Sequence, residues 1–238
     1  MRLYRDQAVV LRTMRLGEAD RIVTMVTPGR GKVRAVAKGV RKTSSRFGSR
    51  LEPISHVSLL LYEGRELDIV TQAETLDHFR AIREDLDRMR RAICLLEAVD
   101  QVAQERKASP RLYQMLVGAL RSLAARDAAL LVPAFFWKLV SLEGSHPLLD
   151  ACATCGATDR LEAFDLGEGG VLCRTCRQGV PVSAEALELL RRMLGGDLAR
   201  VLHEPASEVT AEVEELAHRA IEHHLERRLR SLRALNHG

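Results

Sequence analysis

The first third of the chain alternates apolar and polar residues, and turns rich in glycine and proline interrupt the alternation. A period of two is typical of β-strands that bury one face. Five short strands are predicted, at residues 7–11, 21–26, 32–38, 56–62 and 67–73. Five strands within roughly 75 residues match the size of an OB-fold barrel, and an SH3-like barrel has similar strand lengths. The pattern alone therefore leaves both barrels open.

From Leu76 onward the apolar residues recur at intervals of three and four, which predicts amphipathic helices. Helices are predicted at residues 76–96, from 109 onward, from about 133 to 144, at 183–194 and from about 207 to 235. The apolar stripes of these helices are interpreted as the core of a helical bundle, with a partner-binding groove as the alternative.

The two patterns together predict an α+β protein with three parts. Residues 1–76 form an OB-fold-like β-barrel, which we expect to bind DNA. Residues 77–147 and 181–238 form an α-helical C-terminal domain. Residues 148–180 form an insert that carries four of the five cysteines.

Composition places the chain among ordinary globular proteins, because 46% of its residues are hydrophobic and 29% are charged. The longest apolar run covers residues 128–137 and contains Pro133, which is far short of the roughly 20 residues of a membrane-spanning helix. The N-terminal residues MRLYRDQ lack the apolar region of a secretory signal. A cytoplasmic protein without a membrane segment is expected.

The charge is divided unevenly along the chain. Residues 1–62 carry 13 Lys+Arg against 4 Asp+Glu, whereas the rest of the chain has a net charge of −5. No acidic residue occurs from Arg21 through Leu51. A polyanionic partner, most simply nucleic acid, is predicted for this basic region, with a solvated basic face as the alternative.

The third predicted strand places Lys32, Arg34 and Lys38 on one face, and the intervening Val33, Ala35 and Ala37 on the opposite face, toward the barrel core. Phe47 is the only aromatic residue of the basic loop that follows, and it is the candidate for stacking on a base. The candidate DNA contacts are Arg21, Arg30, Lys32, Arg34, Lys38, Arg41, Lys42, Arg46, Phe47 and Arg50.

The insert contains Cys152-x2-Cys155 and, after seventeen residues, Cys173-x2-Cys176. This spacing predicts a zinc ribbon in which four thiolates bind one structural zinc ion, and the glycine-rich span 167–170 suits the turn between its two strands. Disulfides are less suited to a cytoplasmic chain with an odd cysteine number, and a rubredoxin-like iron site uses similar ligands.

The motifs of common enzyme classes are missing from the sequence. It has neither G-x-x-x-x-G-K-[ST] nor G-x-G-x-x-G, and it has no nucleophile elbow. No catalytic residue is predicted, and a closed four-thiolate metal site leaves no position for a reactive water. The expectation is a DNA-binding accessory protein rather than an enzyme, with a metalloenzyme as the least favoured alternative.

Five short motifs follow one another along the chain: Gly17-Glu18-Ala19-Asp20-Arg21, Thr27-Pro28-x-x-Gly31-Lys32, Phe135-x2-Lys138-Leu139, Cys152-x2-Cys155-Gly156 and Leu229-Arg230-Ser231. In these motifs and in the order of its parts, the chain resembles the RecO family of bacterial DNA repair proteins. The resemblance covers nearly the whole chain and implies an OB-fold, a helical domain and a zinc-binding insert. The zinc ion is predicted from the four cysteines of this sequence, because only part of the family has them.

The resemblance also implies a function. RecO proteins bind single-stranded and double-stranded DNA, anneal complementary strands and, with RecR, help RecA to replace single-strand-binding protein (SSB). The expected partners are therefore both forms of DNA, RecR, SSB and, indirectly, RecA, and the expected location is the cytoplasm at the nucleoid. The alternative is a zinc-ribbon regulatory or scaffold protein whose basic barrel contacts RNA or a protein.

Overall fold

The computed structural model describes residues 2–42, 45, 47–126 and 128–235. The chain divides into two compact units, Met1–Ala125 and Arg126–Gly238. The first unit holds the barrel and the three helices that follow it. The second holds the cysteine segment and the remaining helices. The predicted division into three domains, with boundaries after residues 76, 147 and 180, stays a prediction.

The first unit begins with a closed β-barrel. Its strands are β1 (Leu3–Leu16), β2 (Asp20–Thr27), β3 (Gly31–Ala37), β4 (His56–Tyr62) and β5 (Asp68–Asp77). They are hydrogen-bonded in the order β1-β2-β3-β5-β4, and pairing of β4 with β1 closes the barrel. Strands β3 and β5 are parallel, and the other neighbours are antiparallel. This is the five-stranded OB-fold barrel, which confirms the predicted fold over the SH3-like alternative.

The period of two in the sequence reflects the barrel interior. Val33, Ala35 and Ala37 of β3 are at most 4% exposed and belong to the barrel core, as their alternation predicts. Strand β1 extends beyond the predicted end at residue 11, because a register shift between Val10 and Arg12 lets it continue to pair with β2. The β1–β2 hairpin therefore projects as far as its turn at residues 17–19.

The helices of the first unit are α1 (Arg80–Arg83), α2 (Leu86–Val102) and α3 (Pro110–Ala125). The single helix predicted over residues 76–96 is wrong, because the helical conformation is interrupted at Asp85. The backbone of Asp85 is extended, and its side chain accepts hydrogen bonds from the amides of Asp87 and Arg88 at 3.0 Å. Asp85 is thus an N-cap that starts α2 as a separate helix.

Helices α2 and α3 pack against β1 and β2. Val23 and Met25 fill the barrel interior, so Ile22, Thr24 and Val26 point outward. These outward side chains are nevertheless at most 7% exposed. The helices therefore cover the outer surface of β2.

The segment after α2 lies along the edge of β3. The amide of Lys32 donates to the carbonyl of Gln104, and the amide of Arg106 donates to the carbonyl of Lys32, both at 3.0 Å. Gly31 has a φ of 62°, and a Cβ atom there would lie 1.9 Å from the carbonyl oxygen of Lys107. Only glycine allows this close approach. The edge of β3 is therefore occupied by the protein itself.

The second unit contains the helices α4 (Leu131–Leu142), α5 (Ala184–Leu194), α6 (Leu198–Val201), α7 (Glu208–His224) and α8 (Arg230–Leu235). Ser183 and Ser207 are the N-caps of α5 and α7, where the sequence predicts those helices to begin. The prediction of one helix from about 207 to 235 is wrong, because α7 ends before Glu226. The φ of Glu226 is 51°, which lies outside the right-handed helical region.

A small sheet carries the cysteine segment. Its strands are β6 (Leu161–Asp165), β7 (Gly170–Cys173) and β8 (Val180–Pro181), in the order β7-β6-β8. Trp137 of the buried helix α4 packs edge-on against Phe164 of β6, with 5.5 Å between ring centroids. Helix α4 also packs on α7. In the part of the chain that is described, no helix is both long and apolar enough to span a bilayer.

Candidate metal centre and nucleic-acid surface

Two short turns bring the four cysteines together. In the first, the amide of Gly156 donates to the carbonyl of Cys152 at 2.9 Å, and Gly156 adopts a φ of 75°. A positive φ favours glycine directly after the second cysteine. The second turn follows β7, where the amide of Cys176 donates to the carbonyl of Cys173 at 3.1 Å. Each turn contributes two sulfurs to one cluster.

The sulfur atoms of Cys152, Cys155, Cys173 and Cys176 all lie within 4.8 Å of one another. The Sγ atoms of Cys155 and Cys173 are 3.7 Å apart. A tetrahedral zinc ion with Zn–S bonds of about 2.3 Å would place its sulfur ligands about 3.8 Å apart. The four cysteines therefore form a site whose size fits a tetrahedral metal ion.

The electrostatics of the cluster also suit a cation. Hydrogen bonds from backbone amides, first from that of Cys173, lower the pKa of Cys152 to about 6. The hydrogen bond with Cys155 is the main cause that raises the pKa of Cys176 to about 12. Four thiolates this close repel one another, and a divalent cation among them offsets the repulsion. Since four sulfurs complete a tetrahedral sphere, the site is suited to a structural role.

Several predicted DNA contacts on the barrel are paired with acids instead. Lys32 is 15% exposed, and its Nζ lies 3.3 Å from Oδ1 of Asp100 and also donates to the Asp100 carbonyl. Arg34 lies 3.8 Å from Glu105. Asp100 belongs to α2 and Glu105 follows it. The basic face predicted for the third strand is therefore largely neutralised within the first unit.

Two further candidates are held by acids of the barrel loops. Arg21 donates to Oε1 of Glu52. Arg30 donates to Oε1 of Glu63 at 2.9 Å, which lowers the pKa of that carboxyl. The Arg30 guanidinium also lies 3.9 Å from the ring centroid of Tyr4, in the geometry of a cation–π contact. Both cations are therefore engaged within the barrel.

The predicted stacking residue is buried. The ring of Phe47 is 2% exposed and packs in the barrel core, where neither face is open to a base. We therefore remove Phe47 from the candidate interface. Its neighbour Arg46, also predicted as a contact, lies outside the described residues.

The remaining described candidates are exposed, and three of them lie in the loop after β3. Lys38, Arg41, Lys42 and Arg50 are all exposed. The amide of Arg41 donates to the carbonyl of Ala19 at 3.0 Å, and its guanidinium donates to the carbonyl of Gly17 at 3.3 Å. The amide of Gly39 donates to Oδ1 of Asp20 at 2.7 Å. The loop after β3 is thus bonded to the turn of the β1–β2 hairpin, and we call Lys38, Arg41 and Lys42 the hairpin-end cations.

Comparison with known proteins identifies the family. The model of the recombination protein O N-terminal region matches residues 1–79, and that of its C-terminal region matches residues 83–233. The DNA repair protein RecO of Nocardioides sp. is 46% identical over 241 residues, which cover 97% of this chain and 98% of that protein. The DNA repair protein RecO of Frankia casuarinae is 45% identical over 238 residues, which cover 98% of each.

The chain belongs to the RecO family. This membership confirms the resemblance seen in the sequence and gives the chain a role in DNA repair and recombination. It also agrees with the observed architecture, in which an OB-fold barrel precedes helices and a four-cysteine cluster.

Sequence reasoning missed the acidic partners of this RecO-family barrel. Glu52, Glu63, Asp100 and Glu105 all lie beyond residue 51, outside the acid-free stretch that indicated a continuous positive surface. It also missed the exposed Arg15, which lies near the end of β1 and pairs with Arg21 of β2. The length of β1 was the missing information, because a strand that ends at residue 11 does not reach this end of the barrel.

Proposed function

We propose that this RecO-family protein is a recombination mediator that captures the DNA backbone with the hairpin-end cations of its barrel. It binds single- and double-stranded DNA, anneals complementary strands and, with RecR, helps to load RecA onto DNA coated with SSB. The membership of the family supports this role. The proposed site of action is the cytoplasm, at the nucleoid.

The observation that carries the proposal is the contrast between two groups of cations. Lys32, Arg34, Arg21 and Arg30 contact carboxylates, whereas Lys38 and Lys42 have no ion-pair partner among residues 2–42, 45, 47–126 and 128–235. Cations that are exposed and lack a counter-ion are available to phosphates. Neutralised phosphates repel each other less, so a second, complementary strand is able to approach the first.

The proposed cofactor is one zinc ion held by Cys152, Cys155, Cys173 and Cys176. Thiolate ligands select zinc or iron, and C-x2-C pairs at this separation are typical of zinc ribbons. The bound ion would contribute folding energy to the cysteine segment, because the buried cluster at the site adds Ala163 and Leu172 to Cys152 and Cys173. In this proposal the metal has a structural role only, and the protein acts as an accessory factor without an ATPase site.

Strand annealing tests the proposal directly. Two complementary oligonucleotides that carry a donor and an acceptor dye are mixed at a concentration where spontaneous annealing is slow, and energy transfer is followed over time. Wild-type protein should accelerate annealing, and the triple variant Lys38→Ala/Arg41→Ala/Lys42→Ala should lose most of the acceleration.

The control variant is Arg80→Ala/Arg174→Ala/Arg200→Ala, which removes the same charge from exposed positions elsewhere. It should anneal like wild type. Equal activity of both triple variants would remove the hairpin-end cations from the mechanism. Absence of annealing by folded wild-type protein would contradict the proposed function and favour a scaffold protein that contacts RNA or a protein.

A further inference from the structure

Two apolar side chains are exposed on the β1–β2 hairpin, to whose turn the basic loop after β3 is hydrogen-bonded. Met14 is 50% exposed and Leu16 is 38% exposed. They lie two residues apart in β1, so their side chains share one face of the strand. On the same face of the hairpin, Ile22 pairs directly with Met14 and is 7% exposed, and Val26 farther along β2 is 0% exposed. The apolar outer surface thus continues beyond the part that the helices cover.

The surroundings of this pair are cationic. Arg15 lies between Met14 and Leu16 in the chain, and the loop with Lys38, Arg41 and Lys42 is hydrogen-bonded to the turn that follows Leu16. The nearby acids are Glu18 of the turn and Asp20, the first residue of β2, which pairs with Leu16 and accepts a hydrogen bond from the Gly39 amide. Positive charge therefore predominates around the exposed apolar pair.

A nucleotide combines the two features that complement this surface. Its phosphate is anionic, and the face of its base is apolar. Leucine and methionine are among the side chains that contact or separate bases in other DNA-binding proteins. Among the described barrel residues, neither Phe47 nor Tyr62 offers an aromatic ring for stacking on a base at this end. Phe47 is in the core, and Tyr62 pairs with Leu3 at the opposite end of β1.

We propose that Met14 and Leu16 contact the faces of unpaired bases while Lys38, Arg41 and Lys42 hold the neighbouring phosphates. This inference rests on the proposed function, because it requires that the barrel binds single-stranded DNA. Contacts to the base faces leave the Watson–Crick edges exposed. A strand held in this way remains able to pair with its complement.

The test compares the variant Met14→Ser/Leu16→Ser with wild type on two labelled strands of equal length. One strand is oligothymidine, and the other is an abasic strand that has the phosphates without the bases. Covering two half-exposed apolar side chains corresponds to about a tenfold change in affinity. The variant should bind oligothymidine about tenfold more weakly at every salt concentration, with the same salt slope, and should bind the abasic strand like wild type.

The matched control is Leu86→Ser/Leu148→Ser, which changes two exposed leucines that are not part of the hairpin, at 63% and 57% exposure. It should bind both strands like wild type. Circular dichroism checks that each variant is folded, and Leu16→Gln is a milder second variant that should lose affinity in the same selective way.

Three results would overturn the inference. Unchanged oligothymidine binding by the folded variant would remove Met14 and Leu16 from the interface while the proposed barrel function stands. An equal loss on both strands would show that the pair acts through the phosphate contacts. A change in oligomeric state with unchanged DNA binding would assign the pair to contact between copies of this chain. Failure of wild type to bind either strand would instead contradict the proposed function itself.

Discussion

Replacement of Lys32 by alanine tests the reassignment of the third strand from a DNA-binding face to a structural one. The Lys32 ammonium contacts Oδ1 of Asp100 at 3.3 Å and also the carbonyl of the same residue. The Asp100 carboxylate is 11% exposed and also contacts Arg12 at 2.6 Å. Lys32→Ala therefore leaves a nearly buried carboxylate with one partner fewer.

The cost lies between two limits. An exposed ion pair contributes at most about 1 kcal/mol. Removal of one partner of a fully buried pair costs about 3–5 kcal/mol. Both side chains are 15% exposed or less, and Arg12 still compensates the carboxylate in part. We therefore expect Lys32→Ala to lower the free energy of unfolding by about 2 kcal/mol, which corresponds to a decrease in Tm of about 4–8 °C.

Urea unfolding followed by far-ultraviolet circular dichroism measures this loss. The variants Lys32→Ala, Asp100→Ala and the double variant form a cycle, whose coupling energy should be about 1 kcal/mol or more. The same Lys32→Ala protein should keep the wild-type salt slope in binding to single-stranded DNA. Wild-type stability together with a salt slope shallower by about 0.7 would refute the reasoning and return Lys32 to the DNA interface.

The remaining predictions concern the metal centre, a buried histidine and the barrel core. Cys173→Ser should abolish the stoichiometric zinc found by elemental analysis, and it should shift the fluorescence emission of Trp137, because Trp137 packs on Phe164 of β6. A chelator should shift the emission of the wild-type protein and leave that of the variant unchanged. Burial lowers the pKa of His56 in the folded protein below its ordinary 6.5. The unfolded chain therefore binds the proton at a higher pH than the folded protein does, and stability decreases as the pH falls below about 6.5. The urea midpoint should therefore drop less between pH 7.5 and 5.5 in His56→Gln than in wild type, and an equal drop would exclude His56 as a cause. Phe47→Ala should cost about 3–5 kcal/mol of stability without a change in salt slope, whereas a stable variant with weaker DNA binding would contradict its burial.

The sequence was sufficient to predict the elements whose pattern is local. The alternation in β3 correctly predicts which of its side chains are inside, and the Ser183 and Ser207 caps mark the starts of two helices. The cysteine spacing predicts the cluster because each C-x2-C turn is a local structure. These features depend on residues close together in the chain.

The errors concern contacts over long sequence distances. The charge of Lys32 is neutralised by a residue 68 positions away, which no local pattern reveals. The burial of Phe47 depends on the closure of the barrel around it, although its neighbours are polar and basic. The apolar periodicity continues across Asp85. It therefore does not reveal that the capping side chain of Asp85 starts a separate helix. Long-range packing thus decided which predicted contacts are exposed.

The central claim is that DNA binds at the hairpin end of the barrel and not on the face of β3 that carries Lys32 and Arg34. Binding of a labelled single strand across a salt series tests it most directly, with wild type, Lys38→Ala/Arg41→Ala/Lys42→Ala and the control Arg80→Ala/Arg174→Ala/Arg200→Ala. Loss of three phosphate contacts should make the salt slope shallower by about 2 in the first variant and leave the control at the wild-type slope. A wild-type slope in the hairpin-end variant, with the protein folded, would contradict the claim.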